Sequence, residues 1–286
     1  MWLALALLTA LFESGKDIFA KQGLNAGADP LTVAWAWRLL AVPFLLPPVL
    51  LSAPVMPQPG FWPALVVGGI LNVTTAVLYM RALRASDISL CVPLISFTPL
   101  FLLITSPLLV GESAGPWGTA GVALIVAGAY LLNLDKNNQG LLAPLRALWH
   151  ERGARLMLLV ALIWSLTANI DKIGINNSSP LLWAVSINAA IALGLLPLIF
   201  LRRARAPIGP LPWRLLAAVG LCGGLTTLCQ MLAISLTLVP YVIAVKRLSI
   251  LLTVLAGALL LREPGLRQRL PAAVLMLSGV IVLTLA

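Results

Sequence analysis

The chain has 286 residues, 60% of them hydrophobic and only 10% charged, with a mean hydropathy of +1.02. Soluble domains carry about 25% charged residues, so a soluble enzyme is excluded and a membrane protein is expected. The net charge of +10 sits between apolar runs and forms no basic stripe, which excludes nucleic acid as a partner.

The first apolar run opens at Trp2 without a basic flank or a small-residue cleavage site, so it is expected to be retained as a span. Apolar runs of about 20 residues predict ten transmembrane helices, over 2–22, 31–51, 61–80, 87–110, 115–134, 155–175, 181–201, 212–234, 238–261 and 268–286. None alternates in the manner of a barrel strand. Gly and Pro clusters such as "SAPVMPQPG" (52–60) and "RAPIGPLP" (205–212) mark connections. Pro93 and Pro99 are expected to loosen the fourth span. The longest hydrophilic segment holds "LLAPLRALWHER" (141–152), in which Leu141, Leu145, Leu148 and Trp149 are expected to share one face of a short interfacial helix. Cys91, Cys222 and Cys229 fall inside apolar runs with no CxxC spacing, so neither a disulfide framework nor a metal site is expected. His150, the only histidine, lies in a connection, which argues against a His-dependent enzyme. No cofactor is called for.

The chain repeats itself. "SGKDIFAKQGLN" (14–25) aligns with "SLTANIDKIGIN" (165–176) at an offset of 151, which also carries Glu112 onto Glu263 and Gly128 onto Gly279. An offset of 150 carries Pro47 onto Pro197. The organisation expected is a first repeat of five spans over 1–134, a cytoplasmic linker over 135–154 and a second repeat of five over 155–286. An odd number of spans forces the second copy to enter the membrane in the opposite sense. The fold class is thus an all-α polytopic membrane protein of two inverted five-helix repeats, an architecture recurrent in secondary transporters. Fourteen Lys and Arg border the odd-numbered connections, against Lys172 alone in the even ones, so the odd connections are predicted cytoplasmic and both termini outside.

Ten spans in two inverted halves resemble the EamA branch of the drug/metabolite transporter superfamily. The closing segments "PLLVGESAGPWGTAGVALIVAGAYLL" (107–132) and "LLLREPGLRQRLPAAVLMLSGVIVL" (259–283) carry the same resemblance. It implies a multi-pass carrier of small metabolites in a bacterial-type inner membrane. Spans one to four and six to nine would line a central cavity, with five and ten packed outside. Many relatives keep both termini in the cytoplasm, whereas the charge count here places them outside. "AVKRLS" in the ninth span is similar to the Lys-Arg pair of the plastid phosphate translocators, where such a pair is thought to hold substrate phosphate.

Charges inside the spans separate into shared and unshared. Lys21 and Lys172 occur in both copies near span ends and are expected to snorkel, with a place at a cavity mouth as the alternative. Lys246 and Arg247 have no counterpart, since the offset lands on Ile95 and Ser96; Glu13, Lys16 and Asp17 map onto Trp164, Thr167 and Ala168. Unmatched intramembrane charge points to function. Lys246, Arg247 and Arg38 are the expected anion-binding groups, one offering a point charge and the others planar forks. Glu13, Lys16 and Asp17, spaced i, i+3, i+4 on one helical face, are the expected charge network, with Glu13 or Asp17 available for proton coupling. The bland alternative is an ion-pair network of these acids with Lys246 and Arg247 that binds nothing. Asn72 and Tyr79 (with Thr75 between them), Asn169, Asn188 and Gln230 are the expected polar lining, with helix-to-helix hydrogen bonds the alternative for each.

The function expected is secondary transport of a small organic anion, phosphorylated solutes included, by proton-coupled or exchange-driven alternating access. One alternative is an exporter of amphipathic or cationic compounds; another is a lipid-headgroup flippase or a non-transporting scaffold. The partners expected are a small solute and the bilayer, the chain acting as monomer or homodimer.

Overall fold

The computed structural model describes residues 1–134, 140–203, 212–260 and 266–286. Those residues are helical and contain no strand. The helices in chain order are α1 (Trp2–Asn25), α2 (Pro30–Leu51), α3 (Phe61–Ala85), α4 (Ile88–Cys91), a 3₁₀ segment (Val92–Phe97), α5 (Thr98–Val110), α6 (Pro116–Asn133), α7 (Ala143–His150), α8 (Arg152–Asn176), α9 (Pro180–Arg203), α10 (Trp213–Leu236), α11 (Val239–Lys246), α12 (Leu248–Leu260) and α13 (Leu266–Leu283). Glu263, the repeat partner of Glu112, lies outside the described residues, as do 135–139 of the linker and most of "RAPIGPLP".

Local chemistry sets the ends. Asp29 caps α2: its Oδ2 accepts from the Leu31 and Thr32 amides at 3.1 and 3.2 Å, and Pro30 supplies a first-turn residue with no amide to satisfy. Ser179 accepts from the Leu182 amide at 3.1 Å ahead of α9, again with a proline, Pro180, in the first position. Gly111 ends α5 at φ 71°, in the left-handed region that glycine adopts without penalty.

Among the described residues, eight helical stretches are long and apolar enough to cross a membrane, from Pro30–Leu51 to Val239–Ala256. Of the ten predicted spans, the first falls short by that measure. Every eighteen-residue window of α1 contains Glu13, Lys16 and Asp17. For the tenth, the described residues supply the apolar helical stretch Leu270–Leu283.

The compact units do not follow the repeats. One consists of Met1–Ala76 with Ile170–Leu236, the other of Val77–Asn169 with Thr237–Ala286. Each therefore joins elements of both copies.

In the first unit α1 and α2 both pack along α10, and α2 also packs along α9. Small residues permit the approach. Gly220, Gly223 and Gly224 of α10 lie against Leu40, Trp37 and Ala41 of α2. An apolar cluster of Ala28, Val33, Ala36, Leu216 and Val219 fills the space between them.

In the second unit α6 and α13 form the main pair. A Cβ added at Gly121 would stand 2.9 Å from the Gly279 carbonyl oxygen, and one at Gly279 would stand 2.8 Å from that of Gly121. At Gly128 it would meet the Ala272 carbonyl at 2.6 Å. Residue 121 opposes 279 while 128 opposes 272, so the helices run antiparallel. Shifting by 151 exchanges Gly121 with Ala272 and Gly128 with Gly279, so the contact is its own image.

The linker does form a helix, but its apolar residues do not share one face. Leu145, Ala147 and Leu148 pack on the core around Leu94 and Met157, whereas Leu141 and Trp149 are exposed. Eight residues make barely two turns. Pro144 and Ala147, both buried, fix the inward side, and Trp149 falls a residue beyond it.

Candidate functional site

The fourth and ninth spans are both interrupted. In span four the 3₁₀ segment Val92–Phe97 separates α4 from α5, with Pro93 at its start. In span nine α11 ends at Lys246 and α12 begins at Leu248. Tight i→i+3 bonds carry the chain across: the Arg247 amide donates to Ala244 at 2.9 Å, and the Ile250 amide to the Arg247 carbonyl at 3.1 Å. The 151 shift takes Lys246 and Arg247 onto Ile95 and Ser96, inside the span-four interruption. Ser96 is fully buried and Ile95 nearly so, while Lys246 and Arg247 are half-buried. Among the described residues, the acids of the second unit lie in connections between helices. Glu112, in the connection after α5, accepts from the Val239 amide at 2.8 Å and so caps the first turn of α11.

The first unit holds the charge cluster of α1. Lys16 is buried, with its Nζ 2.7 Å from Glu13 Oε1 and 3.3 Å from Asp17 Oδ1. The predicted shared face is therefore an ion-pair triad within a single helix. Lys16 Nζ also lies 4.0 Å from the centre of the Trp37 ring, and the Arg38 guanidinium carbon stands 3.9 Å from the same centre. One indole thus serves two cations. Its own N–H, turned toward Gly223, meets no acceptor among the described residues.

Arg38 Nη1 donates to Asn188 Oδ1 at 3.2 Å, and Asn188 Nδ2 donates to the Ala184 carbonyl at 2.7 Å. The two residues are 150 apart, the offset that relates the second span to the seventh. Arg38 therefore touches its own repeat counterpart. Asp171 and Glu13 lie close enough for their charges to act on Arg38. Asp171 Oδ1 accepts from the Trp183 indole at 2.9 Å, and Trp183 is wholly buried, edge-on to Phe61.

Other predicted lining residues are engaged locally. Asn169 is fully buried: its Oδ1 accepts from Ser106 at 2.7 Å, and its Nδ2 donates to Thr105 and to the Ser165 carbonyl. Asn72 Nδ2 donates to the Gly68 carbonyl of its own helix. Tyr79, in the second unit, stacks on Trp164 at 6.1 Å. Gln230 is buried in α10. Lys172 donates to the Ile234 carbonyl at 2.7 Å, in the last turn of α10, where a cation suits the helix dipole; Lys21 is exposed.

Trp37, Asp171 and Trp183 are additions to the residues expected from sequence. Asp171 carried a usable signal, because subtracting 151 lands on Ala20 and makes it another unmatched intramembrane charge.

Two repeats of helices, each with an interrupted fourth span and ionisable side chains within its helices, are those of a polytopic membrane protein. The sequence profile of the EamA-like transporter family matches residues 1–134 and again 151–285. The chain belongs to that family. No curated protein matches it. A solved structure described as "Crystal structure of protein" shares the fold with a TM-score of 0.74, covering 99% of this chain and 96% of its own at 17% identity.

Proposed function

We propose that this EamA-family chain is a secondary transporter that carries a small organic anion, phosphorylated solutes included, by alternating access. The observation that carries this reading is the Lys246–Arg247 pair at the interruption of span nine, in register with the interruption of span four. Irregular backbone at membrane depth is tolerated where protein or a water-filled cavity surrounds it. Interrupted helices at corresponding positions of two repeats point to the binding site. An ammonium and a guanidinium side by side there suit a carboxylate or phosphate.

In this reading all ten spans cross an inner membrane, with odd connections cytoplasmic and the second repeat inverted. The antiparallel, self-matching contact of α6 and α13 supports the inversion. Transport runs on a proton gradient or by exchange, with Glu13 or Asp17 as the coupling acid in the first case.

The test is uptake into proteoliposomes of labelled carboxylated, phosphorylated and cationic solutes. Wild type is expected to take up an anionic class, and Lys246→Ala with Arg247→Ala to lose that uptake. Uptake of cations alone, or full anion uptake by the double variant, overturns the reading. Full pH-driven uptake by both Glu13→Gln and Asp17→Asn removes the coupling role and leaves exchange.

A further inference from the structure

We infer that Arg38 is the receptor for the substrate's carboxylate, and that the preferred solute bears one carboxylate and no second negative charge. The inference rests on the transport reading above and narrows its substrate class.

Arg38 sits eight residues into α2, about 12 Å along a helix that rises about 1.5 Å per residue. A guanidinium has five N–H bonds in a rigid fork. Here one is used, toward Asn188, while the face of the group rests on Trp37. Those two contacts fix its plane and its rotation. The Nε–Nη2 edge makes no hydrogen bond among the described residues, and none of the Arg38 nitrogens is both buried and unbonded. An oriented fork with an open edge at membrane depth is a preorganised bidentate site for a planar oxyanion.

Its position favours the same role. A side chain bonded to its own repeat counterpart lies on the axis relating the copies, and binding sites of repeat-built transporters lie at the repeat interface.

The surrounding charge selects the class. Glu13 and Asp17 pair with Lys16, and the charges of Asp171 and Glu13 act on Arg38, so among these described groups three acids face two cations. A dianionic phosphate ester or dicarboxylate brings a second negative charge against Glu13 and Asp171. A monocarboxylate brings only one, and a zwitterion returns a positive charge to the same acids. The fork accepts either anion shape; the acids discriminate by charge.

The experiment titrates the full chain in detergent with three panels: the twenty amino acids with C2–C8 monocarboxylates, C4–C8 dicarboxylates, and sugar phosphates. The readout is the thermal midpoint, with affinities taken from its concentration dependence. At least one compound of the first panel is expected to raise the midpoint. Arg38→Lys, which keeps charge and loses the fork, is expected to weaken that compound by roughly ten- to a hundredfold, the worth of one charge-assisted hydrogen bond. Asn188→Asp serves as a second variant, because an acid beside Nη1 competes for the guanidinium; a loss of similar size is expected. Stabilisation only by dicarboxylates or sugar phosphates, stabilisation by nothing in the panels, or unchanged affinity in both variants overturns the inference. The bound compounds are then offered to proteoliposomes. Arg38-dependent binding without uptake keeps this site and sinks the transport reading. Uptake of phosphorylated solutes that needs Lys246 and Arg247 but ignores Arg38→Lys does the reverse.

Discussion

Spans four and nine break at the same repeat position and fill the break differently. In both, i→i+3 bonding satisfies the tightened turn: the Thr98 amide returns to the Ile95 carbonyl, as the Arg247 amide returns to Ala244. Yet Ile95 and Ser96 are packed away, while Lys246 and Arg247 keep partial exposure. The first and sixth spans differ likewise. Glu13, Lys16 and Asp17 form an ion-pair triad where the other copy has Trp164, Thr167 and Ala168. Backbone geometry depends on many weak contacts and survives duplication in both copies. Side-chain charge is set residue by residue and is free to diverge.

That separation can be broken most severely by writing the chemistry of one copy into the other. Ile95→Lys with Ser96→Arg buries two charges in a sealed turn, each costing about 2.5–3.5 kcal/mol at membrane depth. Loss of the monodisperse peak in detergent size-exclusion is expected. A normal peak and melting point would mean that the span-four break is as tolerant as its partner. Gly128→Leu attacks the shared geometry. The added side chain meets the Ala272 carbonyl and Met276, and a loss beyond the roughly 1–3 kcal/mol of ordinary overpacking is expected in thermal unfolding. Gly115→Ala, with no atom within 4 Å of the new Cβ, is its steric control, expected to lose only the roughly 1 kcal/mol or less of placing alanine at the N-cap of α6. Glu13→Gln weakens the bond to buried Lys16, and a loss of about 1–3 kcal/mol is expected in the same assay. Asp17→Asn sharpens the contrast: the Asp17 side chain is 50% exposed and 3.3 Å from Lys16, so the effect is expected to stay below about 1 kcal/mol. Equal losses from Glu13→Gln and Asp17→Asn would show that burial does not rank the two pairs.

Helix positions were legible because apolar length and Gly/Pro punctuation report directly on spanning segments. The repeat was legible because it preserves identities such as Lys21 with Lys172. Which helices pack together was not. Matching residues show that two stretches are copies, but α1 lies on α10 and α6 on α13 through long-range fit of small residues. Placing both cations on Trp37 needs that packing, since Lys16 and Trp37 belong to different helices. Asn169 failed to separate lining from bracing for a related reason: an amide in an apolar run reads the same in either role until Ser106 and Thr105 are seen beside it. The α11–α12 break had no strong marker, because Pro240 lies in the first turn of α11, where proline is accommodated.

The α6–α13 contact joins two copies of one patch. A patch that fits its own duplicate is an isologous surface, the kind that joins identical subunits about a two-fold axis. A protein made of one repeat alone, bearing glycine at the position of Gly128 and Gly279, would carry a surface shaped to fit a second copy of itself. The present chain holds both copies of that surface in a single polypeptide, while the charges of its two repeats differ.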